Sequence, residues 1–185
     1  MPALQYGAAA CGDRALALIS DCKYGMRGAD DALAVTLIHA PHGPDPDPER
    51  GIHQIRLAIA AADYCPKVLE ELAFDVNHAP AALSARPHAG DLPLNLSLLE
   101  LADGTTAVLS GIKQAEDGSG IVARLYNTAG EATVAKLVLP FTAAVKAAVP
   151  VDIMEQDAVG NVAVSGNTVE VKVGAYGMAA VKIVL

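Results

Sequence analysis

Turn signals break this chain at short intervals. "ADGT" (102–105), "EDGSG" (116–120), "NTAG" (127–130) and "VSGN" (164–167) each separate two aliphatic runs. Short apolar runs bounded by Gly, Asn, Asp and Ser read as β-strands. About ten such runs are present, at 15–20, 32–38, 52–60, 94–101, 106–113, 120–127, 132–140, 143–154, 168–173 and 178–185. The run 52–60 sets Ile55, Leu57 and Ile59 against Arg56, and 132–140 sets Lys136 between Val134 and Val138. That period of two marks a strand with one face covered.

One segment departs from the strand pattern. "PKVLEELAFDVNHAP" places Val68, Leu69, Leu72, Ala73 and Val76 at helical spacing, with Pro66 suited to a first turn and Pro80 to a stop. A helix is predicted over about 66–76, as a crossover between sheets, with Val68, Leu69, Leu72 and Val76 facing a sheet. "APHGPDPDPERG" (40–51) holds four prolines and cannot be a central strand. With no fixed-period repeat and no low-complexity linker, the predicted fold is mainly β: one antiparallel β-sandwich over 1–185 with one inserted helix.

Composition narrows the function classes. The formal net charge is −8 and no basic run occurs, which argues against a nucleic-acid partner. Aromatic residues are scarce and Trp is absent, so the core is expected to be aliphatic. Cys11, Cys22 and Cys65 are an odd set without framework spacing and read as free thiols of a reducing compartment. Met1–Ala10 lacks the basic and apolar regions of a signal peptide, and no uncharged apolar run is long enough to span a bilayer. These features predict a cytoplasmic protein without a membrane partner.

No complete catalytic constellation is visible. His39 and His42 form H-x-x-H near His53, Asp45, Asp47 and Glu49, but a proline-containing loop fixes no ligand geometry. The Asp-Pro-Asp-Pro-Glu run offers carboxylates without setting the spacing that a glycosidase pair requires. Lys23 is placed to lower the pKa of Cys22, yet no His stands in a recognisable partner context. "EDGSGI" (116–121) reads as a hairpin with Asp117-Gly118 as its turn pair. The chain by itself is therefore expected to be inactive, with no catalytic residues, metal or cofactor of its own.

"ISDCKYGMRG" (19–28) makes sense beside a family. The segment 15–59 resembles glycoside hydrolase family 38 α-mannosidases, in particular their bacterial and cytosolic branch. The matching positions are Asp21-Cys22-Lys23-Tyr24-Gly25, Arg27-Gly28, the Pro/Asp loop at 45–47, and Arg50-Gly51-Ile52-His53. "KQAEDGSGIVARLYNTAG" (113–130) is similar to the family's K-x-A-E-D-G-x-G hairpin running into R-L-Y, and "GAYGMAAVKIVL" to its last strand. Ser20 stands for the usual Asn, "AAADYCP" for the usual Pro-His-x-Gly stretch, and "AYGM" for Pro-Phe-Glu.

The resemblance implies a C-terminal β-domain only. The family's catalytic α/β domain, with its zinc held by His and Asp and its Asp nucleophile, would be an N-terminal part of the same polypeptide and is not in this sequence. Mannose-containing glycans would be reached through the intact retaining enzyme. Asp21, Lys23, Tyr24 and Arg27 are the expected substrate-proximal residues there. Two alternatives stand beside this reading: a free-standing carbohydrate-binding or adhesion β-sandwich, and an independent enzyme using Cys22 or the histidines. Scarce aromatics weigh against the former, because sugar platforms stack on Trp or Tyr faces.

Overall fold

The computed structural model describes residues 3–41, 43–142 and 144–185. They are mainly β, with antiparallel pairing throughout and one helix, as expected. Where the sequence predicts one body over 1–185, the chain forms two compact units, Met1–Ala85 and Arg86–Leu185. Residues 78–99 contain no helix or strand. The strand predicted at 94–101 shrinks to Glu100–Leu101, and Leu92, Leu94 and Leu98 are exposed. Alternation alone does not make a strand where no neighbour covers the apolar side, and Pro87 and Pro93 also withhold donors.

Unit 1 begins with β1 (Tyr6–Cys11) and β2 (Arg14–Ser20), followed by a hairpin of β3 (Met26–Ala29) and β4 (Ala32–Val35). Then come β5 (Leu57–Asp63) and α1 (Pro66–Asn77), one residue longer than predicted. One sheet has the order β1-β2-β5. Its inner face offers Ala15, Ala17 and Ile19 of β2 and Ala58, Ala60 and Ala62 of β5 to Leu69 and Ala73 of α1. Leu72 and Val76 flank that contact, while Val68 stands outside it.

The predicted facing of 52–60 is reversed. The register pairs Ala17 with Ala60 and Ile19 with Ala58, so β5's alanines share the buried face of β2. Leu57 and Ile59 point the other way, and Ile59 is 74% exposed. A strand's side-chain period is two, so the facing of one residue fixes all the others. Alanines on that face let the helix approach the sheet closely.

Unit 2 is the sandwich. Its strands are β6 (Glu100–Leu101), β7 (Ala107–Gln114), β8 (Ile121–Asn127), β9 (Thr133–Val138), β10 (Ala147–Val151), β11 (Val162–Ser165), β12 (Thr168–Val173) and β13 (Met178–Val184). One sheet runs β10-β13-β8-β7 and the other β11-β12-β9-β6. Every second residue faces the core: Ala123, Leu125, Val181 and Ile183 on the first sheet, Ala135, Leu137, Val169, Val171 and Val173 on the second. The core is aliphatic, as the composition predicts. Among the described residues no helix is long and apolar enough to cross a membrane.

Candidate functional site

The loop 21–25 leaves β2 at Ser20, which is buried. The Ser20 hydroxyl accepts the N–H of Lys23 at 2.9 Å and of Cys22 at 3.4 Å, closing a side-chain turn. Ser20 therefore still supplies a capping oxygen where the family has Asn. The far end of the loop is tied by Thr36 N–H to the Gly25 carbonyl at 2.8 Å, and Ala3 N–H donates to the Tyr24 carbonyl at 2.9 Å. Neither Gly25 nor Gly28 adopts left-handed backbone; Asp30, at φ +53°, does so in the β3–β4 turn.

Asp21 is the uneven member of this loop. Its Oδ2 lies 3.4 Å from Arg56 Nε, while its Oδ1 is buried and accepts no hydrogen bond. The Cys22 thiol beside it, and then Arg56, hold the carboxyl below the usual range, so it is charged at neutral pH. The same contact raises the Cys22 thiol and outweighs Lys23, contrary to the lowering expected from sequence. Cys22 is thus a poor nucleophile. Neither Lys23 nor Arg27 pairs with Asp21; the partner is Arg56, 35 positions away. Lys23 is half-buried, and Tyr24 and Arg27 are exposed.

Sequence reasoning missed three contributors: Ser20, Arg56 and Asn77. Asn77, at the end of α1, donates from Nδ2 to the Ser20 carbonyl at 3.4 Å, and its own Oδ1 is buried without a partner. Arg56 was visible only as the polar position of an alternating run. Nothing local connects it to Asp21, because the sheet register brings them together.

The Pro/Asp loop spends its polar groups on itself. Asp45 Oδ1 accepts the Asp47 N–H at 3.0 Å, and Asp47 pairs with Arg50 at 2.8 Å. Glu49 Oε2 accepts the His39 N–H at 3.1 Å, and His53 Nε2 lies 2.7 Å from the Glu49 carbonyl oxygen. His42 lies outside the described residues. Among those described, no three His, Cys, Asp or Glu side chains form a set for a metal ion.

The hairpin 113–120 has a structural purpose for each matched position. Ala115 is buried, and Gly118 takes φ +70° in the turn. A Cβ on Gly120 would stand 2.2 Å from the Ile183 carbonyl oxygen, so only glycine lets β8 start this close to β13. Lys113 pairs with Glu116 and, at 2.6 Å, with Glu155, whose carboxylate also accepts the Glu116 N–H at 2.8 Å. Asp117 accepts the Ser119 hydroxyl at 2.7 Å and N–H at 2.9 Å and pairs with Lys182 at 2.9 Å. Ser119, then Lys182, hold the Asp117 carboxyl far below its usual range.

Comparison with known proteins fits this geometry. Residues 106–177, which lie within unit 2 and include the hairpin, match the model of the glycosyl hydrolases family 38 C-terminal beta sandwich domain. The match covers that stretch of the chain and agrees with the resemblance drawn from the sequence words of its hairpin. The chain is similar to alpha-mannosidase G of Dictyostelium discoideum, 26% identical over 129 residues, covering 65% of this chain and 11% of that protein. It is also similar to alpha-mannosidase 2C1 of Homo sapiens, 29% identical over 120 residues, covering 62% of this chain and 11% of that protein. The chain thus spans about a tenth of the length of these relatives.

Proposed function

We propose that this chain is the non-catalytic C-terminal β part of a retaining, cytoplasmic α-mannosidase, and that its Asp21–Arg27 loop edges the sugar site of the intact enzyme. In that enzyme an N-terminal α/β domain of the same polypeptide holds the zinc and cleaves terminal α-mannosides of glycans. The observation that carries the reading is the Asp21 carboxylate: charged, held by the Cys22 thiol and Arg56, with a buried Oδ1 left without a hydrogen-bond partner. Leaving a buried acceptor unpaired is costly, so such atoms call for an explanation. A donor from the catalytic domain or a sugar hydroxyl supplies one. Lys23 and Tyr24 follow directly on the loop and add an ammonium and a phenol of the kind that bind sugar hydroxyls.

The pure chain should neither hydrolyse an aryl α-mannoside nor carry zinc near one equivalent by elemental analysis. Either turnover or stoichiometric metal would overturn the reading.

A further inference from the structure

On the outer face of the β10-β13-β8-β7 sheet, a cavity of about 310 Å³ opens between Arg124, the residues that follow β10, and the start of β13. Arg124 faces outward because its neighbours Ala123 and Leu125 are in the core. Val151, Ile153, Met178 and Ala180 give the cavity a mostly apolar wall.

The loop that forms one side is tightly tied. Asp152 Oδ1 accepts the N–H groups of Met154 and Gln156 at 2.8 and 3.0 Å. Glu155 sits at φ +63°, with its carboxylate held by Lys113 and the Glu116 N–H. Even so, Ile153 and Met154 are 73% and 72% exposed, beside Met178 at 76%. A loop fixed this firmly does not expose two large apolar side chains through slack, and a grouped apolar patch of this kind marks a binding surface.

Arg124 supplies the cationic feature, while the other charged residue of the lining, Asp152, has its Oδ1 on the two backbone N–H groups just named. Its Nη2 reaches the Ile153 carbonyl at 3.4 Å and Glu155 at 3.5 Å, both at the long limit of a hydrogen bond. Its Nε–H is buried and finds no acceptor among the described residues. Lys113, shared with Glu116, is the nearer cation to Glu155, at 2.6 Å against 3.5 Å for Arg124, and a guanidinium has five N–H donors, so donors remain to spare.

We propose that this cavity binds a small aliphatic carboxylate, with the carboxylate on Arg124 and the hydrocarbon along Ile153 and Met178. A planar guanidinium is suited to a carboxylate. The volume is that of a small-molecule pocket, and an aliphatic wall without an aromatic platform does not suit a sugar. The site does not depend on the α-mannosidase reading.

The full chain with ¹³C-methyl methionine provides the test, because Met178 lines the cavity and the buried Met26 serves as internal control. Titration with 4-methylpentanoate should give saturable shifts of Met178, with binding about tenfold tighter than that of 4-methyl-1-pentanol, as a charge-assisted contact requires. Arg124→Gln should abolish that preference. Because this change also disturbs Glu155, Met178→Glu, made at an exposed position, should independently abolish binding while the fold persists. In a second arm, N-acetyl-Leu-Glu-amide separates sources: tighter binding than the free acid assigns the site to an acidic peptide, weaker binding to a metabolite-like acid. Equal affinity for acid and alcohol, shifts that never saturate, or an acid preference that survives Arg124→Gln would overturn the proposal.

Discussion

Asp21 and Asp117 stand in the two most distinctive sequence words of this chain, and the structure treats them differently. Both are ionised, and both lie just past a strand. Asp117 uses both oxygens, on Ser119 and Lys182, and ties the β7–β8 hairpin to β13. Asp21 uses one oxygen at 3.4 Å and leaves the other buried and idle. A recurring sequence word therefore has two physical origins. In the hairpin, Lys113, Ala115, Glu116, Asp117, Gly118 and Gly120 are each explained by contacts within unit 2. In the loop, the contacts within unit 1 explain Ser20 and the backbone but not the carboxylate.

Gly120→Ala should produce the largest effect. The added methyl meets main-chain carbonyl rather than a side chain that can turn aside. Overpacking of this kind costs roughly 1–3 kcal/mol or more. Denaturant melts should show it as a lower midpoint at unchanged slope. A loss under about 0.5 kcal/mol, the range of ordinary surface changes, would mean that β8 and β13 separate easily there.

Much of this contrast was legible in the sequence, and some was not. The hairpin turn at Asp117-Gly118 and the helix at 66–76 follow from local chemistry: turn residues in the first case, apolar spacing behind a proline in the second. Local signals did not reveal β1, β3 or β11. Tyr6–Cys11 is largely alanine, with too weak an alternation to read, and Val162–Ser165 is short. Nor did they reveal which face of β5 is buried, since Ile59 is the more apolar choice and Ala60 the one that fits beneath α1. The Asp21–Arg56 and Lys113–Glu155 pairs are set by register and loop closure, which no local pattern encodes.

Acid sharpens the comparison further. Asp117 and Glu155 have folded-state pKa values below their ordinary ones, so their stabilisation is complete above the unfolded carboxylate pKa near about 4 and is lost as pH falls through the folded value. Lys113 and Lys182 are raised by the same pairs, so their contribution persists through neutral pH and is lost only on the alkaline side. Stability should therefore fall as pH drops from about 5 towards 2. Asp117→Asn should flatten that fall more than Asp21→Asn does, because Asp117 has three close hydrogen bonds, from Ser119 and Lys182, and Asp21 only the weakly donating Cys22 thiol and Arg56 at 3.4 Å. Melting midpoints recorded across that range for the three proteins decide it; an unchanged slope in Asp117→Asn would remove the hairpin pairs from any stabilising role.

The smallest effect on stability is the one that tests the proposed site. Asp21→Asn keeps the shape of the side chain and an oxygen near Arg56, and the idle Oδ1 has no partner to lose, so the melting midpoint should scarcely move. Lys23→Ala and Tyr24→Phe should be equally quiet, since neither head group has a partner among the described residues. On the proposed reading all three should nevertheless lower the turnover of an α-mannoside by the intact polypeptide, where the carboxylate, the ammonium and the phenol would face the sugar site. Asp117→Asn should behave in the opposite way, losing activity only in step with stability. The discriminating plot sets activity against melting midpoint for the four variants. If Asp21→Asn, Lys23→Ala and Tyr24→Phe fall on the line drawn by Asp117→Asn, or keep wild-type kinetics, the loop is a turn like the hairpin and its unpaired oxygen serves no sugar.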